Sequence, residues 1–486
     1  MANLTRRGFL QGTVGTAFFA LASTSARSTT GWRPCNEVRI ACVGLNGRGV
    51  DHIEGLRRLA GVRIVALVDV DREVLDRQAK KFTDRGEKVE TFVDLRRVLD
   101  RKDIDAIAIA TPNHWHALQA IWACQAGKDV YVEKPVSHNI WEGGQIVAAA
   151  RKYGRIVQAG TQSRSSHGIA AGIAWMAAGN LGKIRLARGL CYKPRQSIGK
   201  VAGPQAVPEH IDFDLWTGPA QKRPLARKSL HYDWHWVSDT GNGDVGNQGI
   251  HQMDIARWAL GEAGLPRRTL SIGGRLGYDD DGDTPNSQVV YHEYETAPLV
   301  FEVRGLPRDQ AAQKDWGKGM DAFLGTRIGV IVHCEGGTLR IPDYTRAIAF
   351  DDQGKELRRF EGATDHYANF VDAVRSRKVG DLHGGIREAH VSSALCHMGN
   401  VSHQLGAGRS KSEIVAALAK HADAAEACAR LVGHVEANGV DLDKTPLRLG
   451  QWLAMDPATE RFRDDAAANR LATREYRAGF VVPTEV

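Results

Sequence analysis

Two clusters of side chains in this chain have the types and spacing of working chemistry. The first is Gly44, Asn46, Gly47, Arg48 and Gly49, followed about twenty residues on by Asp69. Glycines at a strand end let the backbone turn tightly enough for amide hydrogens at the next helix start to reach a pyrophosphate, and an acid at that spacing takes the two hydroxyls of an adenosine ribose. A carboxylate there repels a 2′-phosphate, so the pattern favours NAD over NADP. Asn46 stands where the G-x-G-x-x-G motif has its second glycine; it is short and tolerates left-handed dihedrals, the mildest departure available. The second cluster is His231-Tyr232-Asp233-Trp234-His235-Trp236, then Asp244, then Asn247-Gln248-Gly249-Ile250-His251 with Asp254 close behind. Aromatic faces interleaved with hydrogen-bonding groups suit a sugar, which makes Tyr232, Trp234, Trp236 and Asp254 candidate substrate contacts.

The elements that must hold these groups can be read from periodicity. Residues 38–43 form the apolar run of a strand covered on both faces, and residues 62–68 form a second that ends at Asp69. Helix and strand then alternate through residues 104–110 and 129–132, as in a doubly wound parallel sheet. Strand ends at its carboxyl edge deliver Thr111-Pro112-Asn113 with His116, and Glu133-Lys134-Pro135. Ligands of such sheets bind at that edge. Gln162, after a further strand, is expected to close the cofactor site. Beyond a strand at 184–192 lies a long irregular stretch, 193–249, and an excursion of that length is more often functional than accidental.

The glycine turn, Asp69, Thr111-Pro112-Asn113 with His116, and Glu133-Lys134-Pro135 together resemble the glucose-fructose oxidoreductase, inositol dehydrogenase and rhizopine-catabolism family, abbreviated Gfo/Idh/MocA. The resemblance covers residues 36–405. It implies that Lys134 lies beside the nicotinamide and substrate, that Glu133 contacts the ribose, and that the following proline is often cis. Family members commonly carry Asp-x-x-x-His at the helix start, the histidine serving as proton carrier. His251 matches, but Asn247 stands in place of the aspartate and cannot carry away a proton. Asp244 or His235 would then have to compensate. The expected fold is α/β: an amino-terminal Rossmann domain (36–160), then an α+β domain (161–405) with an open, mostly antiparallel sheet whose free face builds a homo-oligomer.

Residues 1–30 read as an export signal, since Thr5-Arg6-Arg7-Gly8-Phe9-Leu10 resembles the twin-arginine signature and small residues allow cleavage after Ala22 or Ala26. The expected partners are the twin-arginine machinery and a carbohydrate, in the periplasm or another exported location. The apolar stretch is too short for a permanent membrane anchor. Among 486 residues the formal net charge is +7, with basic and acidic residues interleaved, so no nucleic-acid surface is expected. Seven cysteines without a CxxC pair read as buried thiols. His231 and His235 stand one helical turn apart, but their Trp and Asp neighbours suggest a loop, so no metal is expected. Residues 406–486 read as a helical extension, with a capping box at Ser410 and Glu413, ending in an arm over the domain or a neighbouring subunit.

Together these readings point to an exported NAD-dependent oxidoreductase of sugars, in which His251, assisted by Lys134, takes the hydroxyl proton as hydride moves. One rival is redox-neutral glycoside hydrolysis with bound NAD, by oxidation at C3 and elimination, as in some relatives. Another is a non-catalytic sugar sensor, against which the presence of both Lys134 and His251 argues.

Overall fold

The computed structural model describes residues 37–486; the twin-arginine segment and both cleavage positions lie outside them. The first sheet is laid down by β1 (Val38–Val43), α1 (Arg48–Arg57), β2 (Val62–Val68), α2 (Arg72–Asp84), β3 (Glu90–Phe92), α3 (Arg96–Leu99) and β4 (Ala106–Ile109). It is completed by α4 (Asn113–Gln125), β5 (Asp129–Val132), α5 (Ile140–Lys152) and β6 (Val157–Ala159). The strands are parallel in the order β3-β2-β1-β4-β5-β6. The order reverses between β1 and β4. Their carboxyl ends splay apart there, opening a crevice beside the glycine turn.

The second half continues with α6 (His167–Trp175), β7 (Ile184–Tyr192), α7 (Phe213–Thr217), α8 (Gly243–Asn247) and α9 (Gly249–Leu260). The strands β8 (Arg268–Gly274), β9 (Ser287–Glu293), β10 (Leu299–Arg304), β11 (Ile328–Cys334), β12 (Gly337–Ile341), β13 (Arg346–Phe350) and β14 (Glu356–Glu361) follow. Pairing is antiparallel except between β7 and β10. One face of this sheet, including Ala187, Phe301 and Val330, buries against Ile173, Met253, Ala256 and Leu395. The charged β14 forms the sheet's outer edge, a composition that discourages strand addition.

Two further helices follow, α10 (His366–Ser376) and α11 (Ile386–Gln404), and α10 lies with the second domain in sequence but with the first in space. Tyr367, Phe370, Val371 and Val374 of α10 pack with Val38, Ile40 and Leu67, so residues 366–376 complete the Rossmann core. The domain boundary expected at residue 160 therefore has this later return.

The remaining elements are β15 (Ala407–Gly408), α12 (Lys411–Leu418), α13 (Ala422–Ala437), β16 (Arg448–Leu449), β17 (Leu453–Asp456), β18 (Arg461–Phe462) and α14 (Ala466–Leu471). The capping box at Ser410 and Glu413 starts α12. The second sheet's outer face was expected to be free for subunit pairing, and here it carries the chain's own extension. Ile414, Leu418, Leu431 and Val435 cover Leu186, Leu270, Ile272, Val289 and Tyr291. Met320 and Phe323 cover Leu190 and Tyr192 on the same face. Ion pairs of Arg188 and Arg430 with Glu302 and Glu426 pin α13 in place. The arm ends on the Rossmann domain, where Phe480 meets Trp115 edge-on at 5.5 Å and Tyr476 donates to Glu142 at 3.0 Å.

Leu431 is 1% exposed in this layer and Val415 on the neighbouring helix is 69% exposed. Leu431→Ala is expected to cost about 2–5 kcal/mol in denaturant unfolding, and Val415→Ala to stay within about 0.5 kcal/mol of the parent.

Candidate active site

A cleft of about 360 Å³ runs along the carboxyl edge of the first sheet. Its floor is the glycine turn. Gly44 and Gly47 have φ of +76° and +60°, and a Cβ on Gly49 would lie 1.8 Å from the Gly44 carbonyl oxygen. Side-chain-free backbone is thus required at Gly44 and Gly49, while a Cβ on Gly47 would meet nothing within 4 Å: there the turn opens onto space a phosphate can fill. Asn46 and Arg48 line the same wall. Asp69 stands at the end of β2, one carboxylate oxygen accepting from Leu45 N at 2.7 Å and the other from Asp71 N at 3.0 Å. Burial pushes its pKa up, and the two amides work against that shift. Cleft and donors fit a dinucleotide.

Thr111, Pro112, Asn113 and His116 line the cleft beyond β4. Thr111 donates to Gln119 at 2.9 Å, Asn113 donates to Asn242 at 2.9 Å, and the His116 ring nitrogens sit 2.6 and 2.7 Å from the carbonyls of Pro135 and Thr111. These bonds join the end of β4 to the turn carrying Lys134 and to the second domain. Glu133 accepts from Arg48 at 2.7 Å and lies 3.0 Å from His52 Nε2. Burial alone would raise its pKa, but Arg48 and His52 hold it well below the usual carboxylate range.

The Lys134–Pro135 bond is cis. The half-buried Lys134 ammonium donates to the Asn247 carbonyl at 2.6 Å and approaches Asn247 Oδ1 at 3.4 Å. Burial lowers its pKa to about 8 against the pull of Glu133. An asparagine, unlike the aspartate of the resembled pattern, accepts this bond without adding charge that would drive the pKa back up.

The aromatic loop lies across the cleft mouth. Tyr232, Trp234 and His235 line it, with the His235 ring stacked on Trp234 at 3.6 Å. His235 Nδ1 is 2.5 Å from the Tyr232 carbonyl, so Nδ1 carries the hydrogen and Nε2 the lone pair. His251, 7% exposed, stands outside the lining with its ring 5.1 Å from that of Tyr344. Burial lowers the pKa of both imidazoles to about 3, and the Lys134 charge adds to the effect.

Several expected site residues are placed elsewhere. Asp244 cannot stand in as a free base, because Arg195 grips both its oxygens at 2.7 Å. Asp254 is not a substrate contact: it is buried, gripped by Arg164 at 2.8 Å through both oxygens and by Ser392 at 2.7 Å. Trp236 faces inward, its ring under Arg195 at 4.9 Å. Gln162 donates to Tyr131 at 3.3 Å outside the cleft lining. Each polar group was legible by type, but its partner lies tens of residues away.

The structure adds residues the sequence reading missed. Trp115, Leu215 and Trp216 line the cleft. His231 Nε2 lies 2.8 Å from Asp71, the buried cap of α2, and backbone bonds Arg72 N to His210 O and Asp212 N to Val70 O, both 3.0 Å, lace the same stretch to the first domain. The 193–249 excursion is therefore a strap over the Asp69 end of the cleft.

Residues 38–161 match the model described as oxidoreductase family, NAD-binding Rossmann fold, and residues 182–281 match that family's C-terminal alpha/beta domain. The chain thus matches both domains of the Gfo/Idh/MocA oxidoreductase family. NAD is the cofactor of this Rossmann domain. Among curated relatives, Glycosyl hydrolase family 109 protein 2 of Shewanella sp. (strain ANA-3) is 32% identical over 171 residues, 31% of this chain and 38% of that protein. Glycosyl hydrolase family 109 protein 1 of Shewanella sp. (strain MR-4) is 35% identical over 120 residues, 24% and 26% of the two chains. The chain thus aligns with well under half the length of these relatives. Among solved structures, the WlbA dehydrogenase from Bordetella pertussis, in complex with NADH and UDP-GlcNAcA, superposes with a TM-score of 0.55 at 18% identity, over 75% of this chain and 95% of that one. At that identity the likeness carries the fold alone.

Gly49→Ala is expected to abolish retention of nicotinamide nucleotide through desalting, since the added methyl overlaps the Gly44 carbonyl. Gly144→Ala, whose Cβ comes no nearer than 3.7 Å to Glu460, should retain it.

Proposed function

We propose that this protein oxidises a carbinol of a sugar or sugar derivative with bound NAD. The observation that carries the reading is Lys134, an amine whose pKa burial lowers to about 8, tied to Asn247 in a cleft formed by the glycine turn, Asp69 and an aromatic loop. Bound NAD supplies an acceptor for hydride. Trp234 and His235 offer a stacked aromatic surface for a sugar face, and Asn247 fixes the direction of the Lys134 nitrogen. Lys134 is the proton acceptor. With both imidazoles lowered to about 3 and Lys134 to about 8, the amine is by far the stronger base in its neutral form. This reverses the sequence-based assignment of His251 as base and Lys134 as assistant, since His251 is neutral and stands outside the cleft lining.

The pH dependence follows from the sign of the shift. A proton acceptor must be deprotonated, so kcat/KM for oxidation should rise with pH and level off above about 8, with no inflection between about 5 and 7 from either histidine. Asn247→Asp places a carboxylate beside the ammonium and should move the midpoint upward by about one unit. Lys134→Met should lower kcat by roughly a thousandfold while the bound nucleotide is kept. Full turnover in that variant would refute the assignment.

A second reading, redox-neutral cleavage of a glycoside in the same cleft, is supported by the curated relatives named as glycosyl hydrolases. The two readings separate in deuterated water. Net formation of reduced cofactor, or dependence on an added carbonyl acceptor, supports oxidation. Release of aglycone without reduced cofactor, accompanied by deuterium in the sugar, supports cleavage. We further place the protein outside the inner membrane on the strength of the twin-arginine-like segment, and a mature chain beginning after Ala22 or Ala26 in the exported fraction is the expected result.

A further inference from the structure

Beside Asn247, which lines the cleft, stands a group of residues with no assigned role. Lys193 follows directly on β7, and its ammonium donates to Gln248 Oε1 at 3.2 Å. Gln248 is the next residue after Asn247, the anchor of Lys134, and it donates in turn to the Tyr344 hydroxyl at 2.7 Å. Tyr344 is 39% exposed and stands beside His251. Two ammonium groups are therefore hung on consecutive residues of one helix start, next to an accessible aromatic ring.

Their charges are not compensated. Among the described residues no carboxylate forms an ion pair with either nitrogen; the acceptors are a backbone carbonyl and two side-chain amides. The carboxylates whose fields reach Lys134 are both committed elsewhere. Glu133 is bound by Arg48 and His52, and Asp244 is gripped through both oxygens by Arg195. The Lys193 charge is felt at Lys134, where it helps to hold the pKa down. Two half-buried like charges cost stability unless something negative is brought between them. No carboxylate of the strap bonds to either nitrogen among the described residues.

We propose that the substrate carries an anionic substituent, a carboxylate or a sulfate or phosphate ester, and that Lys193 binds it while the reacting carbinol faces Lys134. This rests on the proposed function for the location of the reacting end and adds to it the chemical class of the sugar. Lys193 is a specificity residue that touches substrate; it moves no proton. Gln248 is a positioning residue that fixes the Lys193 nitrogen and Tyr344 together.

The test uses NAD-loaded full-length protein and matched methyl glycosides of one sugar: neutral, 6-carboxylate, 6-sulfate and 6-phosphate. Binding is followed by quenching of intrinsic tryptophan fluorescence and turnover by kcat/KM. At least one anionic member is expected to bind about tenfold or more tighter than the neutral one, less so at high salt, and the member preferred identifies the anion. Lys193→Gln should bring the anionic-to-neutral ratio close to one, and Lys193→Arg should restore most of it. Equal binding of neutral and anionic sugars by the parent, or an equal loss on both in Lys193→Gln, would overturn the inference and leave the oxidoreductase reading standing. Charge-selective binding with no turnover of any member would support the inference and count against that reading. No binding of any sugar would overturn both.

Discussion

The bond between the Lys134 ammonium and the Asn247 carbonyl is the constraint on which the rest of the site depends. It joins a turn at the carboxyl edge of the first sheet to the junction of α8 and α9 in the second domain, so the Lys134 nitrogen is fixed only when both are in place. Everything adjacent serves to keep it there. His116 bridges the carbonyls of Thr111 and Pro135, Asn113 reaches Asn242, and Glu133 is immobilised by Arg48 and His52. A carboxylate held by two partners lends the lysine a negative field without itself becoming available as a base. The amine is consequently tuned by burial on one side and by a fixed charge on the other.

That tuning assigns chemistry among groups that look interchangeable in a sequence. Two histidines, Asp244 and a lysine were candidates for proton transfer, and Asp254 for substrate contact. Arginines neutralise and immobilise Asp244 and Asp254, and burial beside a positive charge leaves His235 and His251 neutral. The lysine remains as the basic nitrogen. The substitution of asparagine for the family's usual aspartate at position 247 then becomes intelligible, because a neutral acceptor directs the ammonium without stabilising its charged form.

Legibility in the sequence followed the range of the interactions. The Rossmann strands, the glycine turn and the capping box before α12 are local, and residue type with spacing was enough to place them. Three features were not local. Helix α10 completes a core laid down some three hundred residues earlier, the extension folds back over the sheet face expected to pair subunits, and β14 is so charged that no alternation marks it. The same reason explains the site. Nothing in the neighbourhood of Asp254 or Asp244 announces Arg164 or Arg195, and nothing near His231 announces Asp71.

The central claim is that NAD lies along the carboxyl edge of the first sheet with its reactive ring turned toward a sugar carbinol at Lys134. The most direct measurement is a crystal structure of the protein with NAD and a sugar ligand. The account predicts a sugar hydroxyl within about 3.2 Å of Lys134 Nζ, its carbon facing the nicotinamide. A nicotinamide turned away from Lys134, or a sugar hydroxyl bonded to His251 with the lysine out of reach, would contradict it.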